Sequence, residues 1–206
     1  MVAVEILPAN SLREYMALTD TLRKIAHLSA LLIPILTWVT SRTLVLIAIS
    51  VITIVYCMGE LARAKGRSLP IITSITLRMS RPQEMAHVIV RPIYFALGIV
   101  VALVLFPPVI AYASIIILAL GDPVAALVGE KIGRLQVRRK TLEGSAAGLI
   151  ASFVVASIIV PPSTALIGSA GGMLMEFLDK PDDNLTMPIV AGALMMLARL
   201  VHLTNV

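Results

Sequence analysis

From Pro92 to Gly121 the chain runs thirty residues without a charged side chain. A helix crossing the roughly 30 Å hydrocarbon core of a bilayer needs about 20 apolar residues. The stretch is therefore too long for one span, and Pro107-Pro108 divides it. Proline lacks the backbone donor and breaks a helix, so two spans joined by a tight hairpin are expected. The uncharged stretch from Gly144 to Met175 repeats the design around Pro161-Pro162. Two further uncharged stretches, Lys24 to Arg42 and Arg42 to Glu60, read as two spans with a turn near residues 40–43. A last span begins near Met187-Pro188, because proline suits a first helical turn. With 58% hydrophobic and 14% charged residues, a soluble domain of this size is excluded.

The expected fold class is all-α: a polytopic integral membrane helical bundle of about seven transmembrane helices, forming one domain over residues 1–206. Residues 1–22 form a cytoplasmic N-terminal segment, and the spans fall at about 25–41, 43–59, 90–106, 109–128, 145–160, 163–178 and 187–203. The first twenty residues carry Glu5, Arg13, Glu14 and Asp20 and no long apolar core, so a cleavable signal peptide is not expected. The single cysteine, Cys57, excludes an internal disulfide and reads as a small packed hydrophobe.

The net charge of +5 reports orientation here and not nucleic acid binding. Arg13, Arg23 and Lys24 precede the first span. Arg63, Lys65, Arg67, Arg78, Arg81 and Arg91 follow the second, Lys131, Arg134, Arg138, Arg139 and Lys140 the fourth, and Lys180 the sixth. All fall on one side of a seven-span chain, and only Arg42 and Arg199 on the other. The positive-inside rule puts the N-terminus and the long loops in the cytoplasm. The segment from Pro70 to Arg81, moderately apolar with spaced arginines, reads either as lying along the membrane interface or as an ordinary cytoplasmic loop.

The candidate chemistry gathers on that cytoplasmic face. In "RKIAH", Arg23 and His27 are one helical turn apart, and Lys24 either anchors the span or meets an anion. In "ELARAKGR", Glu60 is spaced to orient Arg63 toward a phosphate, or to form a surface ion pair with it. In "GDPVAALVGEKIG", Asp122 stands in an apolar run as a candidate Mg²⁺ ligand. The small residues Ala125, Ala126, Gly129 and Gly133 after it allow close approach of a ligand or another backbone. In "RRKTLEG", Arg138, Arg139 and Lys140 are suited to neutralise a polyphosphate, while Glu143 holds metal or accepts a proton. In "MEFLDKPDDNLTMP", Glu176 is followed by Asp179, Asp182, Asp183 and Asn184, with Asn184 or Thr186 as a helix cap. Pro108 precedes Asp122, and Pro162 precedes Glu176, by fourteen residues each. At 1.5 Å per residue that is roughly 21 Å of helix, so paired hairpins would set the two acids at one depth.

Acids and bases on one face of a lipid-embedded bundle suit a site where a polyphosphate and its Mg²⁺ meet a membrane-dissolved substrate. No GxxxxGK(S/T) stretch is present, so the site is not a standard phosphate loop.

"GDPVAALVGEKIG", "KTLEGSAAG", and the later Glu176 and "DNLTMP", together with "RKIAH" and "ELAR", resemble the polyprenol (dolichol) kinase and phytol kinase family, which also includes a CTP-dependent diacylglycerol kinase. The resemblance runs from about Arg23 to Pro188, with Pro92 standing where the pattern leads one to expect glycine. It implies a membrane kinase that moves the γ-phosphoryl group of CTP to the hydroxyl of an isoprenoid alcohol (dolichol-, phytol- or geranylgeraniol-like), with Mg²⁺. On that resemblance Asp122, Glu143 and Lys140 are catalytic. Arg63, Lys140, Arg139, Lys24, Gly129 and Gly133 serve the nucleotide, and Asp122, Glu176, Asp183 and Asn184 the metal. His27 and Glu60 support the site. The implied partners are CTP, the lipid alcohol and the bilayer, in a cell membrane or endomembrane with the site facing the cytoplasm. The alternatives are a diacylglycerol kinase using CTP, a cytidylyltransferase making a CDP-lipid, and a small-molecule transporter. The oligomeric state is not readable.

Overall fold

In a computed structural model, residues 9–67, 69–80, 82–85, 87–178 and 182–204 are described. Glu5, Arg81, Asp179 and Lys180, which entered the sequence reading, lie outside the described residues. The helices are α1 (Ala9–Ser29), α2 (Leu32–Val39), α3 (Arg42–Ala64), α4 (Pro70–Arg78), α5 (Arg91–Leu105), α6 (Pro108–Ile132), α7 (Leu142–Ala156), α8 (Pro162–Leu178) and α9 (Asp183–Thr204). A two-stranded antiparallel hairpin, β1 (Gln136–Val137) and β2 (Lys140–Thr141), joins α6 to α7. The chain is an all-α membrane protein. Four helical segments are long and apolar enough to cross a bilayer: Asn10–Val39, Arg42–Ala64, Pro108–Ile132 and Asp183–Val201. Arg91–Leu105 and Leu142–Ala156 are apolar but shorter.

The proline pairs break the chain as their chemistry requires. Pro108 opens α6 and Pro162 opens α8, each at a position whose backbone donor has no partner inside the helix. At the turn before α3, the Ser41 hydroxyl accepts from the Leu44 N–H at 3.1 Å, an N-cap. Arg42 then donates to the Phe106 carbonyl at 2.9 Å. This bond ties the α2–α3 turn to the α5–α6 turn, so both lie at one end of the bundle.

Three boundaries differ from the sequence expectation. The first span was expected as one helix from about residue 25. Instead α1 starts at Ala9, and a turn at Ala30-Leu31 separates it from α2. Pro34, in the first turn of α2, cannot donate to the Ala30 carbonyl, which accepts from Ile33 instead. Helix α6 continues to Ile132, past the expected end of that span near residue 128, with Asp122 and Pro123 inside it as expected. Helix α9 starts before Pro188, because the Asp182 carboxylate accepts the Asn184 N–H at 3.0 Å. Asp182 is therefore the cap, a task expected of Asn184 or Thr186.

Helix α6 is the axis of the packing. Ile115, Ile117, Leu118 and Ala119 on it are fully buried, and α1, α5, α7, α8 and α9 pack around it. Helix α3 lies at the periphery and exposes Ile52, Ile54 and Met58 by more than half, as a lipid-facing surface does. Between α6 and α7 the backbones touch. A Cβ at Gly144 would lie 2.5 Å from the Ala125 carbonyl oxygen, and one at Gly148 would lie 2.6 Å from that of Gly121. Small residues four apart on both helices make this approach possible. Their spacing carries the first turn of α7, and the hairpin before it, onto α6 beside Asp122.

Gly148→Val is expected to lower stability by about 1–3 kcal/mol through overpacking, read as a lower melting temperature in detergent. A melting temperature equal to that of the unmodified protein would mean that α6 and α7 do not approach this closely.

Candidate functional site

At the end of the bundle away from Arg42, three helices each deliver a carboxylate to one ammonium. Lys140 Nζ lies 2.6 Å from Glu176 Oε1, 3.1 Å from Asp183 Oδ2 and 3.6 Å from Asp122 Oδ1. Asp122 comes from α6, Glu176 from the end of α8 and Asp183 from the first turn of α9. Fourteen residues separate Asp122 and Glu176 from the opening prolines of α6 and α8, and the equal helical rise brings both acids to the same ammonium. Lys140 is placed by the β1–β2 hairpin, whose turn residue Arg138 adopts φ 58°, a left-handed conformation costing roughly 1 kcal/mol without glycine.

Burial is graded across the cluster. The Glu176 side chain is 2% exposed and accepts from the Ser145 hydroxyl at 2.8 Å, whereas Asp122 is 25% exposed. Burial alone pulls the Lys140 ammonium down, but Asp122, Asp183 and Glu176 outweigh it and hold the group above the usual lysine range. The sign follows: a raised cation stabilises the fold fully below the ordinary lysine value of about 10.4 and loses that contribution only as pH rises through the raised value. Lys140 thus stays charged across neutral pH, and the melting temperature should fall on the alkaline side more steeply for the native chain than for Lys140→Met. Equal alkaline slopes would contradict the pairing.

The cluster floors a cavity of about 450 Å³. Lys24 and His27 of α1, Gly129 of α6, Gly133 just after it, Arg139 of the hairpin and Asn184 of α9 also line it. Lys24 is bound to Glu130 at 2.7 Å. His27 Nδ1 lies 3.4 Å from Asp122 Oδ2, with the ring tilted on Phe95 at 4.6 Å between centroids. Ser145, Arg91, Arg134 and Asp20 line the cavity as well and were not singled out in the sequence. Ser145 stood within the quoted "KTLEGSAAG", where its position next to Gly144 was the available signal. A second cavity of about 200 Å³ adjoins the first, and the two share Arg23, His27, Arg91 and Asn184. Arg23 and Arg91 both lie against Glu84, at 3.6 and 3.7 Å.

The structure places three of the singled-out residues elsewhere. Glu143 is not a wall of the cavity; its carboxylate accepts the Leu135 N–H at 3.1 Å and fixes the root of the hairpin. Donation from the Glu143 N–H itself, and then from Leu135 and Arg134, holds this exposed carboxyl below the usual range. Glu60 and Arg63 also lie off the polar cavity. Glu60, 1% exposed, accepts from Arg63 Nη2 at 2.8 Å and from the Ile89 N–H at 3.0 Å. Arg63 further donates to the Met85 carbonyl at 2.9 Å and the His87 carbonyl at 2.5 Å. The pair pins the segment before α5 to the end of α3. Arg63→Ala strands a buried carboxylate and should cost about 3–5 kcal/mol, with Glu60→Gln in the same chain recovering most of it. Thermal unfolding of the single and double variants checks this, and an unchanged single variant would show that the pair carries no structural load.

The cluster is made of hard oxygen donors with two more carboxylates than the lysine balances, which suits a cation such as Mg²⁺. Among the described residues no group of three or more His, Cys, Asp or Glu side chains is arranged to hold a metal ion by itself, and the Lys140 ammonium stands among the three carboxylates. Mg²⁺ commonly takes one or two carboxylates and completes its shell with water and substrate phosphate, and the site fits that mode.

No protein-family model matches the chain, and no solved structure matches it. An uncharacterized protein of Methanocaldococcus jannaschii is 28% identical over 133 residues, covering 60% of this chain and 65% of its own length. A phytol kinase of Synechocystis sp. is 33% identical over 112 residues, covering 47% of this chain and 44% of that enzyme. The chain thus spans less than two thirds of either relative. Over about half its length it is a distant relative of a phytol kinase.

Proposed function

We propose that the chain is a lipid-alcohol kinase that transfers the γ-phosphoryl group of CTP to the hydroxyl of a membrane isoprenoid alcohol, with Mg²⁺. The observation that carries this reading is the meeting of Asp122, Glu176 and Asp183 on Lys140 in a cavity of about 450 Å³. The partial likeness to a phytol kinase supports it, and the choice of CTP rests on the family resemblance. We place the chain in a cell membrane or endomembrane, crossing it seven times with its N-terminus in the cytoplasm, so that the nucleotide reaches the cavity from that side.

Phosphoryl transfer asks mostly for positioning and charge neutralisation. In this reading Lys140 and Arg139 neutralise the triphosphate and Lys24 adds charge at the rim, while Gly129 and Gly133, expected to serve the nucleotide, instead let Thr141 pack closely against α6. Asp122 and Asp183 would hold the metal, whose chemistry when bound would be charge neutralisation of the transferring group. Glu176, buried behind Lys140 and held by Ser145, positions the ammonium. The alcohol oxygen forms its bond to the γ-phosphorus while the bond to the bridging oxygen breaks, and CDP leaves with that electron pair. The hydroxyl proton passes to the His27–Asp122 pair.

The assay is purified full chain with geranylgeraniol, labelled CTP and Mg²⁺. Lipid monophosphate and CDP are expected. Pyrophosphate release would instead mean a cytidylyltransferase, and nucleotide-independent flux in proteoliposomes a transporter. Asp122→Asn and Lys140→Ala should each lower turnover by about 10²–10³-fold, and chelation of Mg²⁺ should abolish it. Undiminished turnover in both variants would overturn the site.

A further inference from the structure

The cavity of about 200 Å³ beside the polar one is walled by Ala26, Ile75, Met79, Ile89, Pro92 and Phe95. We propose that it is the acceptor site, seating the first carbons of a single-chain alcohol whose hydroxyl rests on the Asn184 amide at the wall shared with the polar cavity. This rests on the kinase reading above and goes beyond it in naming where the acceptor sits and what limits its width there.

Asn184 is 6% exposed, lines both cavities, and its side-chain oxygen has no hydrogen-bond partner. A buried amide oxygen without a partner costs about 1–3 kcal/mol. A hydroxyl both donates and accepts, so an alcohol at this wall satisfies the amide whichever way it is turned. The same wall carries His27, with Asp122 3.4 Å behind it. An oxygen held there faces the carboxylates and Lys140, where a terminal phosphate would lie. The cavity also reaches helix α4. Ile75 lines it and is still 54% exposed, and on the same helix Ile71 is 76% exposed. Helix α4 thus flanks a route for the rest of a hydrocarbon chain to run into the bilayer.

Size selects the class of acceptor. At roughly 30 Å³ for each water-sized group the space takes about six or seven carbons of one chain. A diacylglycerol branches next to its hydroxyl and would bring two ester groups and a second chain into a space of about 200 Å³ sized for one. The site therefore favours a single-chain isoprenoid alcohol over a glycerol diester.

The test uses the full chain in nanodiscs with two variants. Ala26→Phe fills the cavity, and Asn184→Ala removes the amide. Each is expected to raise the KM for geranylgeraniol about tenfold or more, the kinetic equivalent of one good buried contact. Ala26→Phe should leave the KM for CTP within about twofold of the native chain, which also shows that this variant is folded. Diacylglycerol should be turned over less well than geranylgeraniol. An unmoved alcohol KM in Ala26→Phe, or a raised CTP KM in its place, would overturn the assignment. If the native chain transfers no phosphate, the kinase reading fails and the cavity is judged by binding alone. Geranylgeraniol should then raise the melting temperature of the native chain and not of Ala26→Phe, and no shift in the native chain would sink the acceptor site too.

Discussion

One ammonium holds the functional end of this molecule together. Asp122, Glu176 and Asp183 come from three different helices, and carboxylates brought this close repel one another unless a cation stands among them. Lys140 supplies it at 2.6–3.6 Å. The rest of the architecture can be read as what is required to put that lysine there. Glycines on α6 and α7 let the two backbones touch, Thr141 caps the start of α7, and Glu143 ties the hairpin root to the Leu135 N–H. The result is a cluster still short of positive charge, beside a cavity of about 450 Å³.

The bundle separates two tasks. The helix ends at the site carry charge, whereas the peripheral helices, α3 above all, present Ile, Val and Met outward. Where the polar and apolar cavities meet, four residues are shared, and His27 and Asn184 are among them. The reaction we propose, between a charged donor and a lipid-dissolved acceptor, would need such a boundary, since neither substrate is soluble in the other's surroundings.

Much of this was legible in the sequence, because bilayer thickness and proline chemistry are strong constraints. The hairpin breaks at Pro107-Pro108 and Pro161-Pro162 needed no more than helix length and a missing N–H. The equal spacing from Pro108 to Asp122 and from Pro162 to Glu176 marked two acids that the structure brings to one lysine. What escaped were features set by contacts between distant residues. The β1–β2 hairpin is two residues a side, too short for any periodicity. Glu60 and Arg63 had the spacing of a pair poised over phosphate, but their partners at Met85, His87 and Ile89 are more than twenty residues away. The early start of α9 depends on the Asp182 carboxylate, one of several adjacent polar residues able to cap. The break before α2 depends on Pro34, whose missing N–H leaves the Ala30 carbonyl to Ile33.

The central claim is that Lys140 and its carboxylates act as one electrostatic unit, and a double-mutant cycle between Lys140 and Glu176 tests it most directly. Lys140→Met and Glu176→Leu are each expected to destabilise the chain, and the double variant to be far less damaged than their sum, with a coupling energy of about 3 kcal/mol. Additive effects, with no coupling beyond about 0.5 kcal/mol, would contradict the account.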